Sequence, residues 1–182
     1  MPSVQDFISE VKKSGLARTD KFKVEIFHPT GIPLTNTLEI GKTVSLFCEE
    51  ATIPGLTIGT RNARLHNLNV QRPATIDYGG DSANFQFFVD GSWNVRKYFD
   101  SWMSYIIGNS REVTPYKNII GAVQIMAIHE GMETGEYAEV VKYRVQLEEA
   151  YPISIGLMPV AHSNTFIHRL SVTFAFKYWK TL

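Results

Sequence analysis

The chain has 182 residues, and its 18 basic and 18 acidic side chains leave no formal net charge at neutral pH. A chain of this length commonly folds as one domain and buries most of its apolar surface. The balanced charge counts against a protein that grips nucleic acid through a broad positive field. The single cysteine, Cys48, excludes an intrachain disulfide and a thiolate-rich zinc site.

The first residues, Met-Pro-Ser-Val-Gln-Asp, lack the basic and apolar regions of a secretion signal. No apolar run approaches the roughly 20 residues that span a bilayer. We therefore expect a soluble chain without a membrane anchor, folded in a reducing compartment.

The first predicted element is a short amphipathic helix over residues 3–14. Ser3 is a candidate N-cap and Gly15 a candidate stop. The apolar residues recur at spacings of three and four, as one helix face requires: Val4, Phe7, Ile8 and Val11.

The next predicted element is a strand in which Phe22, Val24 and Ile26 alternate with charged residues. Prolines and glycines interrupt residues 28–43, which predicts a loop or irregular hairpin. A second strand is expected over Val44–Cys48.

Residues 49–82 are predicted to form a long loop with a function of its own, because structureless segments of this length are uncommon. Weak strand patterns occur only near 63–65 and 68–70. The segment is broken by Pro54-Gly55, Gly59, Pro73 and Gly79-Gly80.

The central part of the chain predicts a strand, with Phe85, Phe87 and Val89 alternating, and then a helix that ends at Gly108-Asn109. The helix should pack on a sheet through one apolar stripe: Val95, Phe99, Trp102, Met103 and Ile106.

The last third of the chain alternates as strands do. Strands over 123–127 and 141–147 are joined by an acidic hairpin over Glu130–Glu136, and one long terminal strand covers 170–178. Strands on both sides of one helix, without a βαβ rhythm, predict a mainly β (α+β) fold. We expect a single domain over 1–182, built as an antiparallel β-sandwich or barrel with a central helix and a short N-terminal helix.

No catalytic or metal site is predicted. The sequence has no G-x-S-x-G elbow, and Cys48 lies on a strand-like segment where it should pack as a small apolar group. The adjacent carboxylates Glu49-Glu50 and Glu148-Glu149 point to opposite faces of an extended chain. No two histidines share helical ligand spacing: His28, His66, His129, His162 and His168. We expect a non-enzymatic structural protein that assembles with copies of itself, without cofactors.

Two other functions remain as alternatives. One is a small β-barrel module that binds single-stranded nucleic acid, although Arg61, Arg64 and Arg72 lack interleaved aromatic residues and suit a protein interface better. The other is a hydrolase that uses His129 or His162 with a nearby glutamate.

Five segments, taken in order, resemble the tail tube proteins of contractile-tailed, T4-like bacteriophages. The resemblance extends from about Phe7 to Trp179. The segments are 47–55 (FCEEATIPG), 85–90 (FQFFVD), 95–102 (VRKYFDSW), 147–152 (LEEAYP) and 172–179 (VTFAFKYW).

The resemblance implies a subunit of the inner tail tube, which forms hexameric rings that stack into a channel. DNA would pass through it without specific binding, and the tail sheath, baseplate and tail terminator proteins would be partners. The protein would assemble in the host cytoplasm and reside in the virion tail. The same fold serves a baseplate tube-initiator ring and the tube of a bacterial contractile secretion system. By resemblance, the inter-subunit interface includes Pro54, Gly55, Ile58, Arg61, Arg64, Arg72 and Tyr78.

Overall fold

The computed structural model describes residues 3–33, 37–65, 68–80, 82–108, 112–133, 136–162 and 166–182. Its helices are α1 Val4–Ser14, α2 Thr37–Leu46, α3 Asn94–Ile107 and α4 Tyr116–Ile119. Its strands are β1 Phe22–Phe27, β2 Cys48–Ala51, β3 Thr57–Leu65, β4 Leu68–Asp77, β5 Ser82–Phe88, β6 Gly121–Glu133, β7 Glu136–Ile155, β8 Arg169–Ala175 and β9 Tyr178–Thr181.

The strands form one large antiparallel sheet and one separate two-stranded sheet. The large sheet has the order β1-β6-β7-β8-β5-β2, with β9 also paired to β7, while β3 pairs with β4 alone. The mainly β, antiparallel class with a central helix is therefore confirmed. The strand order within the described residues runs from one edge to another, so the barrel form of the prediction is not found.

Strand β7 bends and belongs to both halves of the large sheet. Its residues 136–150 pair with β6 and residues 145–148 also pair with β9, whereas residues 151–155 pair with β8. At the bend Glu149 has a left-handed φ of 54°, which is uncommon for a residue other than glycine.

The predicted single strand over 170–178 is wrong, because the bend in β7 divides it into β8 and β9. Strand β8 pairs with residues 151–155 of β7, after the bend, and β9 pairs with residues 145–148, before it. Between them Phe176 is buried, and the Lys177 amide donates to the Glu148 carbonyl at 3.0 Å.

The core lies between the bent sheet and helix α3. Alternate strand residues face inward and are buried: Val24, Ile26, Phe85, Phe87, Val123, Ile125, Val145, Leu147, Leu170, Val172 and Phe174. The predicted helix is confirmed, with its stop at Gly108; Asn109 lies outside the described residues. Tyr98, which the predicted stripe omitted, is fully buried, and its hydroxyl lies 3.1 Å from Nδ1 of His28.

The prediction for residues 37–46 is wrong, because Thr37–Leu46 forms helix α2 rather than a loop and the start of a strand. The four-residue spacing of Ile40 and Val44 directs both side chains toward the core, where Val44 is fully buried. The Ser45 hydroxyl also accepts the outward amide of Ile26 at 3.4 Å. Tertiary packing thus outweighs the glycine within the helix.

Cys48 begins strand β2 and remains a free thiol. Burial raises the pKa of this thiol to about 12. The thiol is therefore protonated at neutral pH and poorly nucleophilic, in agreement with the predicted packing role.

Helix α1 projects an apolar face into solvent. The predicted N-cap is present, since the Ser3 hydroxyl accepts from the Asp6 amide in a capping box. Val4 and Phe7 are nevertheless 76% and 64% exposed. In the part of the chain that the structure describes, none of the helices is long and apolar enough to cross a membrane.

Candidate assembly interface

The segment predicted as a long loop forms a projecting β-hairpin, β3–β4. The two strands pair from Thr57 with Asp77 to Leu65 with Leu68. Their register shifts between Gly59 and Thr60, and Pro73 pairs beside this bulge, where a strand tolerates a residue that cannot donate. The loop prediction is wrong because Gly59 and Pro73 lie at an irregularity within paired strands, whereas Pro54-Gly55 and Gly79-Gly80 lie outside the strands at their base.

Most of the described residues of the hairpin are exposed. Every residue of β4 is exposed, and the paired residues Ile58 and Ile76 are 55% and 64% exposed. At the start of β4, Leu68 is 72% exposed. An isolated two-stranded hairpin is marginally stable in water at best, so this apolar surface favours contact with a second molecule.

The base of the hairpin is anchored to the strand that ends the chain. The indole Nε1 of Trp179 donates to the Gly55 carbonyl at 3.0 Å. The ring of Tyr78 lies beside those of Tyr178 and Trp179, with centroid separations of 6.3 and 6.4 Å. Pro54 is buried at the same place. This anchoring fixes where the hairpin leaves the sheet.

A glycine closes the base. Gly79 has φ of 83°, and a Cβ there would lie 2.8 Å from the Gly55 carbonyl oxygen, so only glycine fits without displacement. The Asp77 carboxylate accepts the amides of Gly79 and Gly80, each at 3.1 Å. Asp81 lies outside the described residues.

The structure thus divides the seven interface residues predicted by resemblance into two groups. The base holds Pro54, Gly55 and Tyr78, whereas the projecting strands carry Ile58, Arg61, Arg64 and Arg72. Sequence reasoning omitted Ile76, because its pairing with Ile58 depends on the register of the hairpin.

The three arginines give the projecting strands a positive charge. Arg61 is directly opposite Arg72, and Arg64 is opposite Asn69. Like charges opposite each other destabilise a strand pair. Within the described residues, no carboxylate forms an ion pair with any of the three. Apolar side chains combined with arginine are typical of protein interfaces.

A second exposed apolar surface, missed by sequence reasoning, lies in the connection from β7 to β8. Leu157 is fully exposed, and three other large apolar residues are more than two-thirds exposed: Val160, Phe166 and Ile167. Val160, Phe166 and Ile167 border a cavity of about 530 Å³ formed by 159–162 and 166–169. The sequence did contain a signal for this surface, since its four large apolar residues do not alternate with polar residues as those of a strand do.

Histidines with described contacts pack against aromatic residues. His28 contacts Tyr98, and the ring of His168 lies 5.5 Å from that of Trp93. Among the described residues there is no cluster of three His, Cys, Asp or Glu side chains that could hold a metal ion. His66 lies outside the described residues.

The fold therefore combines a bent antiparallel sheet, a packed central helix and a projecting hairpin. The chain belongs to the phage tail tube protein family, whose model matches residues 17–182. Members of this family are non-enzymatic structural components of a virion or phage-like particle. The match begins after helix α1 and includes the whole hairpin.

Solved structures with the same fold come from contractile injection systems. A chain of the anti-feeding prophage baseplate, symmetrised six-fold, has a TM-score of 0.61 at 15% identity, covering 93% of this chain and 97% of that one. A chain from the PVC sheath/tube terminator of an extracellular contractile injection system has a TM-score of 0.60 at 11% identity, with coverages of 92% and 96%.

A chain from the PVC sheath-tube complex has a TM-score of 0.57 at 11% identity and covers 96% of both chains. These likenesses show the fold. No curated protein sequence matches this chain significantly.

Proposed function

We propose that this protein is the repeating subunit of the inner tail tube of a contractile-tailed bacteriophage. Residues 1–182 would form one tube-type domain, six copies would form a ring, and stacked rings would form the channel for DNA. The observation that carries this proposal is the β3–β4 hairpin, an apolar and basic surface exposed in a single copy. Membership of the tail tube family supports self-assembly as the role of that surface.

The open edges of the sheet support self-association. Strand β2 lies at one end of the strand order and pairs with β5, and β9 pairs with β7. Unpaired strand edges can template pairing with another chain. A closed ring of identical subunits covers such edges in every copy.

The zero net charge of the chain supports passage of DNA without specific binding. A channel lined with an excess of lysine and arginine would bind the phosphates of DNA and would release them only at high salt concentration. A neutral subunit avoids this retention.

The partners and location follow from the same proposal. Related folds occur in a sheath-tube complex and in a sheath/tube terminator. We therefore assign tail sheath, baseplate and terminator proteins as partners. Assembly would take place in the host cytoplasm and the finished subunit would reside in the virion tail.

A baseplate ring that initiates the tube is the second candidate. The likeness to a chain of the anti-feeding prophage baseplate favours it. An initiator would form one ring and wait for the first tube ring, whereas a repeating subunit would continue to stack.

Replacing residues 57–77 with a short glycine-serine linker tests the proposal. Gly55 and Gly79 are in contact at the hairpin base, so a short linker can span the gap. We expect a folded monomer by sedimentation velocity at concentrations where the wild-type protein forms large assemblies. Thermal unfolding should match that of the wild-type monomer, and circular dichroism should lose only the strand signal of β3 and β4. A linker variant that assembles as well as the wild type would contradict the role of the hairpin.

A further inference from the structure

We infer that helix α1 of one copy docks in an apolar groove of a neighbouring copy, between strand β1 and helix α2. This inference rests on the proposed self-assembly and deepens it, because it adds a contact in which the hairpin takes no part. The two surfaces belong to different regions of the chain, so each copy offers one helix and receives another. Contacts of this kind repeat from copy to copy and build rings or stacks.

The docking element is α1, whose apolar face is exposed in the single chain. Beside Val4 and Phe7, Ile8 is 45% exposed, and Leu16, just beyond the helix, is 66% exposed. Among the described helices and strands, none makes more than marginal contact with α1. The family match also begins after this helix, at residue 17. An amphipathic helix left outside the core of its own chain is suited to a groove on another molecule.

The receiving groove follows the outer edge of β1. It encloses about 580 Å³, a volume typical of binding pockets. Its apolar lining includes Phe27 and Leu46, which are 48% and 80% exposed. Ser45 of α2 accepts the outward amide of Ile26, so α2 already occupies part of the strand edge. The groove therefore favours the side chains of a helix over the addition of another strand.

A glycine within α2 keeps the groove open. Gly41 lines the groove, although glycine is a poor helix former. Among the described residues, the nearest atoms that a Cβ at Gly41 would meet belong to the His28 ring, at 3.6 Å, which is an ordinary contact distance. Alanine would fit there and would favour the helix. Packing within the chain does not require this glycine, and we attribute it to the space that the groove needs.

The charges at the margins of α1 match those at the rims of the groove. At 3.6 residues per turn, Lys12 lies at one margin of the apolar face and Glu10 at the other. The groove has the exposed Lys42 on its α2 side. On its β1 side, Glu25 is paired with Lys23 at 3.0 Å. One orientation of the docked helix places Glu10 beside Lys42 and Lys12 beside Glu25.

The helix of the same chain leaves the sheet on the wrong side to fill this groove. Gly15 follows α1 and lies beside β6, because a Cβ there would be 3.2 Å from the His129 ring. Strand β6 pairs with one edge of β1. The groove follows the other edge, where Ser45 contacts Ile26. A second copy therefore supplies the helix.

Cross-linking between two copies tests the docking. A chain with Glu10→Cys is mixed with a tagged chain carrying Lys42→Cys, under conditions where wild-type protein assembles, and treated with a short bismaleimide. Cys48 reacts poorly, because its thiol stays protonated at neutral pH. Lys117→Cys is the matched control, since Lys117 is an exposed helical lysine outside the groove. We expect at least about 10-fold more mixed dimer with Lys42→Cys than with the control, because docking raises the effective concentration of the thiols.

Two further substitutions test whether the apolar face of α1 makes the contact. Adding Phe7→Asp to the Glu10→Cys chain should lower the yield of mixed dimer about 10-fold, because the carboxylate would be buried without a partner. Ser9→Asp places the same charge on the opposite, polar side of α1 and should leave the yield unchanged. Denaturing gel electrophoresis measures each yield.

The outcomes separate this inference from the proposed function. If the protein assembles but Lys42→Cys yields no more mixed dimer than Lys117→Cys, the docking is overturned while self-assembly stands. If a chain carrying both Glu10→Cys and Lys42→Cys links only within itself, its own helix fills the groove and the docking is again overturned. Wild-type protein that stays monomeric by light scattering at every concentration would overturn both.

Discussion

Replacing Trp102 with alanine is expected to lower the free energy of unfolding by about 4 kcal/mol, as truncation of a buried aromatic residue commonly does. Trp102 is fully buried, and its ring lies 6.0 Å from that of Tyr98 and 5.8 Å from that of Phe174. Its Nε1 donates to the Ile119 carbonyl at 3.1 Å. Alanine leaves both a cavity and an unpaired carbonyl. Urea denaturation measures the loss.

The loss should be smaller for Trp102→Phe, which retains most of the ring volume but not the donor. Total stabilities of domains are about 5–15 kcal/mol, so the alanine variant should lose a large share of its folded population on mild heating. An alanine variant within about 1 kcal/mol of wild type would contradict the placement of Trp102 at the centre of the core.

Replacing Ile58 with aspartate is expected to raise the threshold concentration for assembly at least about 10-fold, equivalent to about 1.4 kcal/mol per contact. Ile58 is 55% exposed and lies opposite Ile76 on the projecting hairpin. A carboxylate buried in an apolar interface loses its hydration without a partner. Sedimentation velocity over a concentration series measures the threshold.

The same substitution should change the free energy of unfolding by less than about 0.5 kcal/mol, because an exposed side chain contributes little to the single-chain fold. Val113→Asp is a matched control, since Val113 is 74% exposed and lies outside the hairpin. Normal assembly of the Ile58 variant would show that the hairpin surface is not the interface.

Strands and helices in which buried residues recur at a regular spacing were predictable from the sequence. Strands β1, β5 and the central parts of β6 and β7 alternate, and helix α3 carries a continuous apolar stripe. These patterns follow from local geometry, with periods of 2 and 3.6 residues. The sequence therefore indicated the mainly β class and the central helix.

Elements that depend on distant contacts were not predictable in this way. Helix α2 is held by packing of Val44 and by the contact of Ser45 with Ile26. The division between β8 and β9 follows from the bend at Glu149. Glutamate gives no local signal for a left-handed φ, so the terminal alternation suggested one strand where the sheet requires two.

The candidate interface was located by resemblance, and its arrangement came from the structure. Proline and glycine suggested a loop, whereas the register pairs Ile58 with Ile76 and Arg61 with Arg72. Trp179 lies against the hairpin base through its contact with Gly55, 124 positions away in the chain. Such pairings join residues far apart in sequence, and no local pattern specifies them.

Electron microscopy of the purified wild-type protein across a concentration series, with mass from light scattering, tests the central claim most directly. We expect six-fold rings at low concentration and uniform stacked tubes above a threshold. Single rings that never stack would favour the baseplate initiator. A monomeric mass at every concentration would contradict the proposal that this chain is a self-assembling tube subunit.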